Sequence, residues 1–201
     1  MKGHSNIMGR RIPEDHDFSE RQILNDLALD LPVSLDGRNY CGDLDIRIDR
    51  TGRWYYNGTL IARKAMVCLF ASILVRADDG VYWLISPTEM GRIEVEDAPF
   101  IVTGITASGE GEDQVIRFNT NVDKTVTISE DAPIMMKTSP VTGEQTPYVM
   151  FPGSIEARIE RAVYYDLVER GAVLDLDDEE IFGVWSSGSF FPLGSIRDTD
   201  A

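Results

Sequence analysis

DLDIRIDRTGRWYYNGTLIAR, residues 43–63, is the stretch on which the reading of this chain turns. Leu44, Ile46 and Ile48 alternate with charged residues, the period-2 pattern of a strand with one buried face. RTGR reverses the chain and WYYNG brings it back, so 43–57 reads as a hairpin. After the Asn57-Gly58 turn, Thr59 is placed as the N-cap of a helix from Leu60 to about Arg76. Met66, Leu69, Phe70, Ile73 and Ala77 supply that helix with an apolar face.

The same order recurs. PGSIEAR, 152–158, matches NGTLIAR, 57–63, at Gly, Ala and Arg, and in kind at Thr/Ser and Leu/Ile. Before it come a strand (PIMMKTS), a turn (PVTGEQT) and a return strand (PYVMF, 147–151). After it, Ser154 is expected to cap a helix from Ile155 to about Arg170, stopped by Gly171. A shorter echo joins EDAPFIV, 96–102, to EDAPIMM, 130–136.

RIEVED, FIVTGITA, QVIRFNTN and TVTIS read as further strands. IFGVWSS and SFFPLG read as a closing hairpin after the acidic loop DLDDEE, 175–180. Upstream, Ser19 can cap a helix through about Leu31, with Ile23, Leu24, Leu27 and Leu31 on one stripe and Pro32 ending it. The expected fold is α+β: two related small domains from an internal duplication, each a mostly antiparallel sheet with one packed helix. The domains are placed at 19–95 and 96–195, between a disordered N-terminus, 1–18, and a tail, 196–201.

Of 201 residues, 43% are hydrophobic and 26% charged, as in an ordinary globular protein. With 34 acidic and 19 basic residues the formal net charge is −15, a field that repels phosphate backbones and anionic lipid. General nucleic-acid or membrane binding is therefore not expected, although a local basic pocket for one small anion is compatible with it. No apolar run reaches the roughly 20 residues of a membrane span, and the N-terminal residues lack a secretory pattern, so a cytoplasmic location is expected. Cys41 and Cys68 are expected as reduced thiols.

Familiar catalytic equipment is missing. The two histidines, His4 and His16, lie in the segment expected to fray, so a Ser-His-Asp or Cys-His site is not expected. Two scattered cysteines make no zinc site. No phosphate-binding glycine motif opens a helix; SGEGED, 108–113, is read as a hairpin loop. DLDDEE lacks the glycine and terminal glutamate of a calcium loop. No metal and no cofactor are expected.

What remains is a pair of arginines and some polar strand ends. With Thr59 and Ser154 as caps, Arg63 and Arg158 fall in the first helical turn, where a cation is mildly unfavourable. Each then needs a planar anion: a protein carboxylate, with Glu96, Asp97, Glu130 and Asp131 as candidates, or a ligand shared with free backbone N–H groups. Ser86, Thr88, Glu89 and Arg92 cluster after one strand, and Asn119, Thr120 and Asn121 end another; such clusters grip ligands and also build turns. Trp54, Trp83 and Trp185 are read as core or interface residues.

CGDLDIRIDRTGRWYYNG, LFASILVRADDGVYWLISPTE, RIEVEDAPF, FNTN and SSGSFFPLG, in this order, resemble the bacterial family catalogued as domain of unknown function 1285. The resemblance spans residues 32 to 195. It implies a duplicated α+β core, a second domain loosely similar to pleckstrin-homology-like folds, a nucleotide-like ligand at the domain interface, and a role in signal transduction. It brings no catalytic residues.

The expectation is thus a non-catalytic ligand-binding or regulatory protein holding a small anion between its domains. The candidate ligand residues are Arg63, Thr88, Glu89, Arg92, Asn119, Asn121 and Arg158. The alternative is a protein-interaction module with no small-molecule ligand. A metal-assisted hydrolase using Glu89, Glu96 or Asp97 would need a ligand-spaced cluster that the sequence does not offer.

Overall fold

The computed structural model describes residues 38–139, 143–176 and 179–195. The helix expected over 19–31, the frayed segment 1–18 and the tail 196–201 lie outside the described residues.

The first half contains two three-stranded meanders with a helix between them. β1 (Asn39–Ile48), β2 (Trp54–Tyr56) and β3 (Thr59–Leu60) are followed by helix α1 (Lys64–Ser72). Then come β4 (Leu74–Arg76), β5 (Tyr82–Ile85) and β6 (Glu89–Val95). Parallel pairing of β1 with β6 joins the meanders into one sheet of order β3-β2-β1-β6-β5-β4.

The helix expected from Leu60 is corrected here. Asn57 and Gly58 both lie at positive φ (47° and 73°). That is the backbone of a two-residue hairpin loop whose twist matches the flanking strands, for which Asn-Gly is the preferred sequence. Tyr56 therefore stands opposite Thr59, and Thr59 is a strand residue rather than a cap. The helix begins at Lys64 with Arg63 at its N-cap. It gives way after Ile73 to β4, where the β-branched Ile73 and Val75 suit extended backbone.

The second half opens with β7 (Phe100–Ser108), β8 (Val115–Thr120) and β9 (Thr125–Thr127), SGEGED forming the β7–β8 connection as expected. β10 (Ile134–Thr138), β11 (Gln145–Phe151) and β12 (Ile155–Ile159) follow, and β12 joins β7 in parallel to give the order β10-β11-β12-β7-β8-β9. Helix α2 (Arg161–Val168) leads to a third sheet of β13 (Ala172–Leu176), β14 (Glu179–Ser186) and β15 (Ser189–Ser195).

The second expected cap fails for a related reason. Gly153 and Ser154 lie at φ 77° and 59°, a left-handed link between β11 and β12, so Ile155 starts a strand and α2 starts at Arg161. The acidic stretch is also corrected: Asp175 pairs with Glu180 and Leu176 with Glu179 in one hairpin, leaving only its tip, 177–178, outside the described residues.

The buried side chains form one continuous core through both halves, including Ile48, Trp54, Phe100, Phe118, Leu167 and Val184. Phe70 of α1 stacks on Trp54 with ring centroids 6.3 Å apart, while Val163 and Leu167 of α2 are buried beside β7 and β14. Cys41 and Cys68 are free thiols. Among the described residues no helix is long and apolar enough to cross a membrane.

Candidate anion site between the domains

The two halves meet where the β1–β2 turn abuts β7 and the β8–β9 turn. Asn121 Nδ2 donates to the Gly52 carbonyl at 2.9 Å, and its Oδ1 accepts from the Ile101 N–H at 2.9 Å. Gly52, at φ 74°, has no room for a side chain: a Cβ there would lie 2.4 Å from Ile101 Cγ1. Nearby, Lys64 of α1 pairs with Asp123 at 2.6 Å, and the Cys68 thiol donates to the same carboxylate.

Beside this seam the strand registers gather a polar cluster. Tyr148 stands opposite Arg158 and Met150 opposite Glu156; Met135 stands opposite Tyr148 and Lys137 opposite Thr146. Because alternate residues share a face, Lys137, Tyr148, Glu156 and Arg158 all project from one side of the second sheet. Ile101, opposite Arg158 in β7, lies on that side too and packs on Gly52, so this is the face turned to the first half. From the first half, Arg76 and Tyr82 stand opposite one another in β4 and β5, the guanidinium 5.8 Å above the ring.

Between these walls runs the EDAP segment. Glu96 pairs with Arg47 and accepts from the Arg50 N–H. The Tyr148 hydroxyl donates to Asp97 Oδ1 at 2.7 Å, while Arg158 Nε lies 3.4 Å from Asp97 Oδ2. Arg158 Nη2 donates to the Arg50 carbonyl at 2.8 Å. Lys137 pairs with the nearly buried Glu156 and sits 4.6 Å over the Tyr148 ring. Burial first, then the Glu156 and Asp97 charges, push the Tyr82 phenol up to about 12 against the opposing pull of Arg76. Burial and donation to Asp97 push Tyr148 higher still. Both phenols are therefore neutral at physiological pH.

Four buried side-chain atoms among the described residues lack a hydrogen-bond partner: Trp54 Nε1, Trp83 Nε1, Arg76 Nε and Arg158 Nε. All four are donors, and two of them are guanidinium N–H groups beside this interface. Arg158 Nε is close enough to Asp97 for Coulomb attraction but is poorly aligned for a hydrogen bond, because Tyr148 anchors that carboxylate through its other oxygen. Among the described residues Arg76 has no carboxylate within ion-pair distance, and its hydrogen bond to the Ser154 carbonyl is 3.5 Å long. A buried donor without an acceptor is costly, and a guanidinium more so, so an anion is the natural complement of these two groups.

The candidate residues read from the sequence do not converge. Arg158 lies in this cluster, in a strand rather than at a helix N-terminus, and takes a protein carboxylate, Asp97 of the four proposed. Asn121 is at the same seam but is spent on joining the two halves. Arg63 is exposed at the N-cap of α1 and forms no ion pair among the described residues, so the expectation that it needs a planar anion is not met by a protein carboxylate there. Thr88 and Glu89 belong to a turn in which Ser86 Oγ accepts from both of their N–H groups and donates to the Glu89 carbonyl. Asn119 is exposed and accepts from Thr125.

Arg92 lines a different feature, an open cleft of about 770 Å³ in the first half, together with Asp43, Asp45, Arg47, Asn57 and Glu94. It is committed to Asp43 at 2.7 Å. No group of three or more His, Cys, Asp or Glu side chains suited to a metal occurs among the described residues.

Two family models match almost the whole described chain: the N-terminal domain of the domain of unknown function DUF1285 over residues 31–98, and the C-terminal domain of the DUF1285 protein of unknown function over 99–193. The chain belongs to the DUF1285 family. Among solved structures, a DUF1285 family protein from Silicibacter pomeroyi DSS-3 is 42% identical with a TM-score of 0.74, over 85% of this chain and 91% of that one. A DUF1285 family protein from Shewanella baltica OS155 is 27% identical with a TM-score of 0.51, over 63% of this chain and 92% of that one. No curated protein matches the chain. The DUF1285 domains meet between Ala98 and Pro99, so Asp97 lies at the end of the first, next to its last residue, and Arg158 belongs to the second.

Sequence reading missed Arg76, Tyr82, Tyr148 and Glu156. For Arg76 the signal was present: Leu74 and Arg76 share a face of β4, and Leu74 is buried. An arginine on the apolar face of a strand stands out only once that segment is recognised as a strand.

Proposed function

We propose that this DUF1285 protein is a non-catalytic ligand-binding protein, regulatory in role, that holds a small anion between its two domains. The observation that carries the reading is the pair of buried guanidinium N–H groups without acceptors, Arg76 on the first domain and Arg158 on the second. An anion bound by both would add a connection between the domains, so occupancy would report on their association, which is what a regulatory protein needs. The nucleotide-like ligand implied by the family resemblance is compatible with this site where its phosphate is a singly charged diester, which would meet the arginines. The net charge of −15 gives the ligand a reason to be small, since a polyanion would be repelled outside the pocket.

An origin of the two halves in one duplicated unit belongs to the same proposal. Its support is the recurring order of three strands, helix and three strands, at β1–β6 around α1 and at β10–β15 around α2. The sheets join differently, through β1–β6 in one case and β12–β7 in the other.

The test is thermal unfolding of the full chain against a panel of small anions and nucleotides. An anion that binds only the folded state raises the melting temperature by mass action. Arg76→Ala and Arg158→Ala should each abolish that rise. Flat melting curves across saturating concentrations would overturn the proposal and favour the protein-interaction alternative.

A further inference from the structure

We propose that Asp97 sets the charge of the anion this site accepts, so that the site takes a singly charged oxyanion, a carboxylate or a phosphodiester, and refuses a dianionic phosphate. The inference rests on the anion site proposed above. It follows from the charges that face the interface: Arg76, Lys137 and Arg158 are cationic, and Asp97 and Glu156 are anionic. One negative charge balances them; two overshoot.

Asp97 is the group best placed to discriminate. Its Oδ2 lies 3.4 Å from Arg158 Nε, beside the donor that an incoming anion would use, without itself forming a hydrogen bond to it. It cannot swing away freely, because Tyr148 holds Oδ1 at 2.7 Å, and that phenol is buried and stays protonated. A ligand oxygen on Arg158 therefore has a fixed carboxylate as its neighbour. A second ligand charge meets that repulsion directly, and like charges this close in a partly desolvated site are strongly unfavourable. Glu156 contributes less, since Lys137 neutralises it directly.

The decisive substitution is Asp97→Asn, which removes the charge and keeps an oxygen to accept from the Tyr148 hydroxyl. The Nε–H resonances of Arg76 and Arg158 are assigned by Arg76→Lys and Arg158→Lys. They are then followed by NMR while the full chain is titrated with acetate, dimethyl phosphate or inorganic phosphate, at a pH where phosphate is the dianion. In the unsubstituted protein, acetate or dimethyl phosphate should move both resonances, and phosphate should bind more weakly; which of the two monoanions binds tighter separates carboxylate from phosphodiester ligands. Asp97→Asn should tighten phosphate by roughly tenfold, a charge–charge effect discounted for the partial exposure of the pair. Asp97→Ser, neutral and smaller, repeats the test should the first variant fold poorly. An unchanged order of preference in both variants, with anions still binding, would overturn the charge filter alone. Resonances that no anion moves in any form would overturn the anion site itself.

Discussion

Asn121 bridges the two domains by binding the backbone of both: its Nδ2 donates to the Gly52 carbonyl and its Oδ1 accepts from the Ile101 N–H, each at 2.9 Å. The Asn121 N–H also donates to the Ile101 carbonyl at 2.9 Å, so one side chain and one peptide group extend the pairing of β7 towards the β1–β2 turn. The candidate anion site lies alongside this junction, so the junction's rigidity fixes how its arginines are presented.

Gly52→Ala should destabilise the protein. The backbone there is left-handed, and the new Cβ would overlap Ile101 Cγ1 at 2.4 Å and Asn121 Nδ2 at 2.8 Å. Combining the left-handed penalty with overpacking gives about 2–4 kcal/mol. Asn121→Ala leaves the Ile101 N–H and the Gly52 carbonyl without their side-chain partner and should cost about 2–3 kcal/mol. Denaturant unfolding measures both, and a double variant should lose less than the sum because the two residues share one contact. Loss equal to the sum would show that they act independently.

The β1–β2 turn should also govern the acid limb of the stability curve. Burial alone would raise the Asp49 carboxyl, but hydrogen bonds from Thr51, Arg53 and Tyr55 outweigh it and bring it from 3.8 down to about 2. The folded state thus favours the carboxylate, so the stabilisation is complete above pH 3.8 and is lost as pH falls towards about 2. Asp49→Asn should flatten the decline of stability across that window. An unaltered decline would place the acid sensitivity elsewhere.

At the alkaline end the sign reverses. Tyr82 is held neutral up to about 12, against an ordinary 10.0, so its contribution is whole below pH 10.0 and is lost as pH rises through about 12. Ultraviolet titration should show phenols that ionise only in that late phase, together with Tyr148, whose shift is larger and whose hydroxyl is committed to Asp97. Tyr82→Phe should remove part of the late phase. A protein whose phenols all titrate near 10.0 would contradict the buried placement of both rings.

Helix α2 reaches the core through Leu167, which is fully buried. Leu167→Ala should cost about 2–5 kcal/mol by lost burial and the cavity left behind. Because the core is continuous from Ile46 to Leu193, the loss should appear in one cooperative unfolding transition. Two separated transitions, with only the later residues affected, would mean that the two domains unfold as independent units.

Ligand dependence is the remaining measurement. Arg158 and Asp97 are each about a third exposed, so breaking their pair by Arg158→Ala should cost no more than ~1 kcal/mol of stability. The same change should abolish the response to anions. A large stability loss with an unchanged anion response would assign Arg158 a purely structural role.

Local pattern carried much of this fold. The alternation in 43–49 marks a strand, and most other strands lie where the sequence pattern places them, but those at 59–60, 74–76, 155–159 and 172–176 do not, while the two free thiols agree with their sequence context. Both helix starts were misplaced at the residues that opened the reading. Asn57-Gly58 and Gly153-Ser154 adopt left-handed backbone, and the residues after them continue as strands. A hydroxyl before an apolar run fits a cap or an edge strand equally well; only the pairing of Thr59 with Tyr56 and of Ile155 with Phe151 separates them.

The site was less legible. Sequence named Arg158, and Asp97 as one of four candidate carboxylate partners, but did not single out the pair, because Asp97 lies near the end of one domain and Arg158 sits in a strand of the other. Tyr82, Tyr148 and Glu156 gave no motif, since each is one residue in an otherwise ordinary strand, and Arg76 was hidden because its strand reads as the end of a helix. Sequence alone determined the alternation, the turn chemistry, the acidic net charge and the family. Tertiary structure decided which faces meet. Strand register turns one side of the second sheet towards the first domain, and that side carries Arg158, whose Nε has no acceptor among the described residues. Register is a long-range pairing energy, and no local spacing of residues encodes it.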